Sequence, residues 1–381
     1  MKSSTAPDVV FWVCKSNSRQ LGTALAVALV VLVSAHLVYP RDRRFWPADS
    51  LTVSPVESPA RPRPVLYAVI GSLRGGKEVY CRMAKSLPPM SEVVIFNGEP
   101  DLENEAAFSD CLAQHKVPLV STWHAGEPEN WNDLLNVTDS ESRHPWYRRF
   151  PPYEVSDPES HKGFYANKKH IPRQFLGRIH PGHEGTAGIL LVYRHLLAQK
   201  IKTLDKKYDA LVLTRSDFLY LCPEWLPRKL DRIYVLEGET YGGVTDRHAV
   251  YPWQMLQVAL NVTMWFAHAQ PKDLCLQPDC GPYEQVHGVP FLEDFEFNNL
   301  ESLLALYFTK MGLPMSFYPR VQLTVRRDTS DPTVDATTWS KGESRFLPAY
   351  FADPLLVKYE GEKKLAEATC AARANLGAVI K

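Results

Sequence analysis

Tyr208-Asp209-Ala210-Leu211-Val212-Leu213-Thr214-Arg215-Ser216-Asp217 is an apolar β-type run that stops abruptly in a hydroxyl, a cation and a carboxylate. Ligands of open α/β sheets sit at the carboxyl ends of strands, so charges directly behind a buried strand are stronger functional candidates than charges elsewhere. The same grammar recurs upstream. Pro64–Ile70 predicts a strand stopping at Gly71, a helix leads to a strand over Glu92–Asn97, and a helical pattern around Glu105–His115 precedes a strand at Val117–Thr122. This alternation predicts an α/β fold, a mixed and mainly parallel sheet flanked by helices.

Downstream, Leu190, Leu191, Tyr193, Leu196 and Leu197 give a helix over Glu184–Lys200 its apolar face, and that helix feeds the decisive strand. A strand at Ile233–Leu236, a glycine turn at Tyr241-Gly242-Gly243, a helix near Glu301–Met311 and a last strand at Val321–Val325 follow, with an Ala-rich surface helix over Glu360–Lys381. Trp123–Ile179 shows no period; connections that long are usually functional or mobile.

Over 381 residues Lys plus Arg equals Asp plus Glu at 43 each, so no whole-chain field draws the protein onto nucleic acid and partners must be recognised locally. Leu21–Tyr39 contains no Lys, Arg, Asp or Glu and approaches the ~20 apolar residues that span a bilayer. The expected organisation is a cytoplasmic tail (1–20), a single-pass signal anchor (21–39), a stem with six prolines (40–64), a globular domain (65–355) and a helical C-terminal tail (356–381). The competing reading is a secreted chain, since Val33-Ser34-Ala35 is a small-residue cleavage pattern.

The sequons Asn136-Val137-Thr138 and Asn261-Val262-Thr263 are N-glycosylation candidates that support a type II topology with the globular part in the lumen. Six of the seven cysteines would then meet an oxidising compartment, and Cys275 with Cys280, in a Pro- and Gly-rich loop, form the preferred disulfide pair.

Gly71-Ser72-Leu73-Arg74-Gly75-Gly76-Lys77 fits the first seven positions of a phosphate-cradling G-x-x-x-x-G-K loop, but Glu78 stands where Mg²⁺ coordination needs Ser or Thr. A P-loop phosphotransferase is thereby demoted, leaving either a plain strand-to-helix turn or a loop whose backbone and Arg74 contact a diphosphate. At the second strand end, Arg215 suits phosphate and Asp217 a divalent metal (Mn or Mg) or a ribose; the plain alternative is Asp217 as a helix cap and Arg215 in a salt bridge. Asp246 is a candidate for orienting an acceptor hydroxyl and His248 for a metal nitrogen or proton relay. Glu301 and Asp294 compete as general base, with Asn298 and Glu301 also at capping-box spacing.

Gly71-x-x-Arg74, Tyr208-Asp209 through Thr214-Arg215-Ser216-Asp217, and Asn299-Leu300-Glu301 through Phe317-Tyr318-Pro319-Arg320 together resemble GT-A glycosyltransferases of the Rossmann type. The nearest group is the WavE-like lipopolysaccharide and capsule synthesis family with its eukaryotic relatives. The resemblance spans roughly residues 65–327 as ordered short motifs. It implies a nucleotide-sugar donor, a glycan or glycoconjugate acceptor, a divalent cation and, with the anchor, a Golgi (or ER) membrane location. Gly71, Arg74, Arg215 and Asp217 would hold the donor, and Glu301, Asp294 or Asp246 would act in catalysis. The chain departs from the pattern by lacking the first carboxylate of the metal-binding Asp-x-Asp element, which keeps open a non-catalytic glycan-binding or accessory protein.

Overall fold

The computed structural model describes residues 62–126, 187–238, 243–268, 300–327, 344–349, 351 and 355–379. The apolar segment 21–39, Asn136, Cys275, Cys280 and Asp294 lie outside them. Among the described residues no helix is long and apolar enough to cross a membrane.

The main sheet has seven strands in the order β3-β2-β1-β4-β7-β6-β8. These are β1 (Val65–Ile70), β2 (Ser91–Asn97), β3 (Leu119–His124), β4 (Ala210–Thr214), β6 (Ile233–Leu236), β7 (Ala249–Pro252) and β8 (Met315–Tyr318), with β5 (Phe218–Tyr220) in a second sheet. β1 lies parallel to both β2 and β4, whereas β7 runs antiparallel to β4 and β6. β1, β2, β4 and β6 are apolar runs buried on both faces, as a sheet covered on two sides requires.

Alternate strand residues face opposite layers. Val65, Tyr67 and Val69 meet Tyr80 and Met83 of α1 (Lys77–Ser86) and Phe108 and Leu112 of α2 (Leu102–Gln114). Leu66, Ala68 and Ile70 meet α3 (Ala187–Ile201), α4 (Leu256–Ala259), α5 (Val262–His268) and α6 (Leu300–Lys310) through residues such as Leu191, Leu197, Ala259, Phe266, Leu303 and Leu306. A mainly parallel sheet between two helical layers is consistent with the GT-A-like expectation.

The second sheet, in the order β10-β11-β9-β5, adds β9 (Gln322–Arg327), β10 (Ser344–Phe346) and β11 (Leu355–Val357). The strand expected to be last is therefore followed by two more. The C-terminal helix α7 (Glu360–Val379), expected on the surface, instead buries Ala366 against Leu323, Val325, Leu355 and Val357, and buries Glu362 completely. Disulfides join Cys81 to Cys111 and Cys222 to Cys370, the second fastening α7 to the segment after β5.

Candidate active site at the switch point of the sheet

From β1 the chain builds outward to β2 and β3 on one side, and then returns to place β4 on the other, with Val69 beside Thr214. The crevice beyond the carboxyl ends of β1 and β4 is the topological switch point where open α/β sheets bind ligands. Both motifs singled out in the sequence meet there.

Ser216 fastens them together. Its hydroxyl accepts the Arg74 N–H and donates to the Ser72 carbonyl, each at 3.0 Å. A Cβ added at Gly75 would come within 2.2 Å of the Ser216 carbonyl oxygen, so only glycine permits the approach. Gly71 and Gly76 take φ values of 85° and 77°, which L side chains rarely adopt. Arg74 is thereby carried, exposed, to the mouth of the crevice. The turn is not an open phosphate cradle, since the Arg74 amide is given to Ser216 and Lys77 begins α1 exposed.

Arg215 and Asp217 form a bidentate pair, Nε to Oδ1 at 2.9 Å and Nη2 to Oδ2 at 2.5 Å, with the carboxylate buried and part of the guanidinium exposed. Burial opposes ionisation of Asp217, but Arg215, followed by Arg74 and Arg247, outweighs it and holds the carboxyl below its usual value. The salt bridge that was the plain alternative for Arg215 is thus present. It places a guanidinium charge against both oxygens of the carboxylate proposed as a metal ligand. Among the described residues no group of three or more His, Cys, Asp or Glu side chains is placed to hold a metal ion. Among the described residues, one carboxylate paired with a guanidinium is fewer oxygen ligands than a divalent cation takes from a protein-built site.

Because β7 runs antiparallel to β4, with Leu213 opposite Ala249, Asp246-Arg247-His248 enters at the same edge. The three side chains diverge. Asp246 meets Glu301 in the first turn of α6, and the Glu301 carbonyl accepts the Val244 N–H at 3.1 Å, tying the loop to the helix. Burial, then the Asp246 charge, pushes the Glu301 carboxyl up to about 8. Asp246 Oδ1 is buried without a hydrogen-bond partner among the described residues, its nearest charge being Arg247 Nε at 3.8 Å. Arg247 lies over the Tyr359 ring, 4.6 Å from its centroid, and reaches Glu362 at 3.5 Å.

His248 turns inward and is fully buried. Nδ1 lies 2.9 Å from Thr214 Oγ1 and Nε2 lies 3.0 Å from Glu224 Oε1. With both nitrogens engaged there, the ring is not presented to the crevice. Tyr67 and Tyr318 each donate to Glu224 at 2.9 Å. Burial opposes ionisation of Glu224, yet His248 and the two phenols outweigh it and lower its pKa.

The residues missed by sequence reading come from the second sheet and α7. Lys358, directly after β11, donates its N–H to Thr324 O at 3.0 Å, and its ammonium lies 5.1 Å from the Tyr359 centroid. Burial, then the charges of Arg247 and Arg215, brings its pKa down to about 8. Arg320 and Glu362 pair at 2.9 Å beneath it, both wholly buried. Nothing local in the sequence marks Lys358 or Glu362, because β-pairing over a long chain separation carries them here. Of the remaining candidates, Asn261 is exposed at the turn before α5, while Thr263 of its sequon is buried.

No family model matches the chain, and no curated protein matches it. Among solved structures, a mannosyltransferase, PcManGT from Pyrobaculum calidifontis in complex with GDP-Man and Mn²⁺, aligns at a TM-score of 0.30 and 10% identity. The alignment covers 62% of this chain and 57% of that one, so the chain spans a little over half of the mannosyltransferase's length.

Proposed function

We propose that the protein is a glycosyltransferase that moves a sugar from a nucleotide-sugar donor to a hydroxyl of a glycan or glycoconjugate. The observation that carries this reading is the meeting, at one sheet edge, of two kinds of chemistry. Arg74, Arg215, Arg247 and Lys358 form a cationic wall suited to a diphosphate, and Asp246 with Glu301 forms a carboxylate pair suited to a hydroxyl. As the acceptor oxygen attacks the sugar carbon, its proton passes to the Glu301 carboxylate, while Asp246 Oδ1 accepts a hydrogen bond from the acceptor. The bond to the nucleoside diphosphate breaks, and the guanidinium groups bear the charge that builds on the departing oxygen.

A luminal head on an N-terminal anchor belongs to the same proposal. Two disulfides among the described residues support an oxidising compartment, where such bonds form and persist. The test is thermal-shift binding of the full chain against UDP, GDP, CMP and ATP, with wild type and Asp217→Ala, followed by sugar release from the donor whose nucleotide binds. Stabilisation of wild type alone by one nucleoside diphosphate supports the reading. A folded protein that binds none of them would sink it and leave the non-catalytic glycan-binding alternative.

A further inference from the structure

Cations and carboxylates meet at close quarters in the crevice. Arg74, Arg215, Arg247, Arg320 and Lys358 converge on Asp217, Asp246, Glu301 and Glu362. Arg74 stands exposed at the mouth and Lys358 is half-buried, so part of this cationic lining faces solvent, where an anionic ligand would arrive. A site built around a divalent cation has the opposite character, carboxylates in excess and cations held away.

We propose that Arg215, Arg247 and Lys358 stand in for a divalent ion at the donor diphosphate, so that donor binding and transfer proceed without metal. The inference rests on the glycosyltransferase reading and goes beyond it. Three geometric facts support it. Arg215 already spans both Asp217 oxygens, so a cation on the one carboxylate of the strand end would sit against a guanidinium charge held by that same group. Arg247 and Lys358 both lie near one aromatic ring, Tyr359, at 4.6 and 5.1 Å from its centroid, which gathers two cations at one place. Glu362 is set beneath them rather than within the crevice, held by Arg320 and by the Thr324 N–H at 2.8 Å. It positions Arg247 without competing for the ligand's place. Lys358 is the residue this assigns anew, as a ligand-binding cation supplied by the second sheet.

Isothermal titration of the full chain with UDP and with GDP, in EDTA and in excess Mn²⁺, tests this, alongside Lys358→Met and the milder Lys358→Arg. One diphosphate should bind with affinities in the two buffers that agree within about threefold, Lys358→Met should weaken it about tenfold, and Lys358→Arg should restore most of the loss. Binding that appears only with Mn²⁺ would overturn the metal-free inference and leave the transferase reading intact. Unchanged affinity in a folded Lys358→Met protein would overturn the assignment of Lys358. Absence of binding by either diphosphate in both buffers would bring down the donor reading and this inference with it.

Discussion

Arg247 and His248 are neighbours in the chain, yet they join two ionic networks of opposite character. His248 enters a closed network in which Glu224, Tyr67, Tyr318 and Thr214 meet one another's hydrogen bonds, wholly out of water. Arg247 enters an open one, with an exposed Arg74 at its mouth, a half-buried Lys358, an orphaned oxygen on Asp246 and a carboxyl on Glu301 pushed far from its ordinary value. Closed networks of buried charge hold a structure in one arrangement, whereas an unbalanced network at a strand end waits for a ligand. The two meet at Thr214-Arg215, where the closed network fixes the last strand residue and the open one begins. Substitutions should therefore separate into those that cost stability and those that cost function.

The largest separation is expected at Glu301. Glu301→Gln should lower transfer by about 10² to 10⁴-fold, as removal of a general base does, while leaving nucleotide affinity nearly unchanged. In wild type, activity should rise with pH toward about 8, because Glu301 must lose its proton to act as a base. Its stability contribution runs the other way. The carboxyl keeps its proton in the fold to about 8 but releases it near 4.5 when unfolded, so stability is full below 4.5 and is lost progressively as pH rises to about 8. Denaturation of wild type and Glu301→Gln at several pH values should show that slope in wild type and a flatter one in the variant. Equal slopes would place Glu301 outside the open network.

At Glu224 the effect should fall on stability instead. Glu224→Ala strands His248 and two phenols in the interior, and loss of one partner from such a buried pair costs about 3–5 kcal/mol. Urea denaturation reads this directly; a loss below about 1 kcal/mol would break the distinction between the networks. Removing the Cys222–Cys370 bridge by a double serine substitution should cost about 2–4 kcal/mol, since α7 would lose its covalent hold on the body. Because α7 carries Glu362 against Arg247, nucleotide binding should weaken too, so this stability change reaches the open network.

How far each network was legible in the sequence follows the same division. The glycine loop and the Arg-Ser-Asp strand end were visible because each follows a buried apolar run whose end the sequence marks sharply. Asp246 and Glu301 were visible as charges beside a turn and a helix start. Lys358 and Glu362 were not, because their place depends on β11 pairing with β9 and on α7 closing over both; Arg320 was quoted in a motif, but not its pairing with Glu362. α7 read as a surface helix from its Ala-rich composition, and Ala368, Ala371 and Ala374 are exposed, but Glu362 and Ala366 on its other side are buried against the second sheet. His248 read as a ligand of the crevice because it follows a glycine turn among charged residues; which way a residue in a loop turns is decided by partners such as Glu224, 24 residues away in the chain. Cysteine pairing shows the same limit. The described bridges join positions 30 and 148 residues apart, which no local spacing indicates, and Cys275 with Cys280 lie outside the described residues.

The smallest predicted effect tests the join between loop and strand. Ser216→Ala removes one hydroxyl that both accepts from Arg74 and donates to Ser72, a loss of about 1 kcal/mol in stability by the usual worth of such bonds. If the loop only supports the sheet, nothing more should follow. If it presents Arg74 to a diphosphate, freeing it should also lower nucleotide affinity by about threefold to tenfold, because a cation no longer held in place must be ordered when the ligand arrives. Gly75 supplies the control for direction: its alanine variant pushes the same loop away from the Ser216 carbonyl without touching the hydroxyl. Loss of affinity in both variants, with Arg74→Ala adding little to either, would place the loop's contribution in where it holds Arg74. Additive losses would instead make Arg74 and the hydroxyl independent, and the glycine loop would belong with the closed network as scaffold.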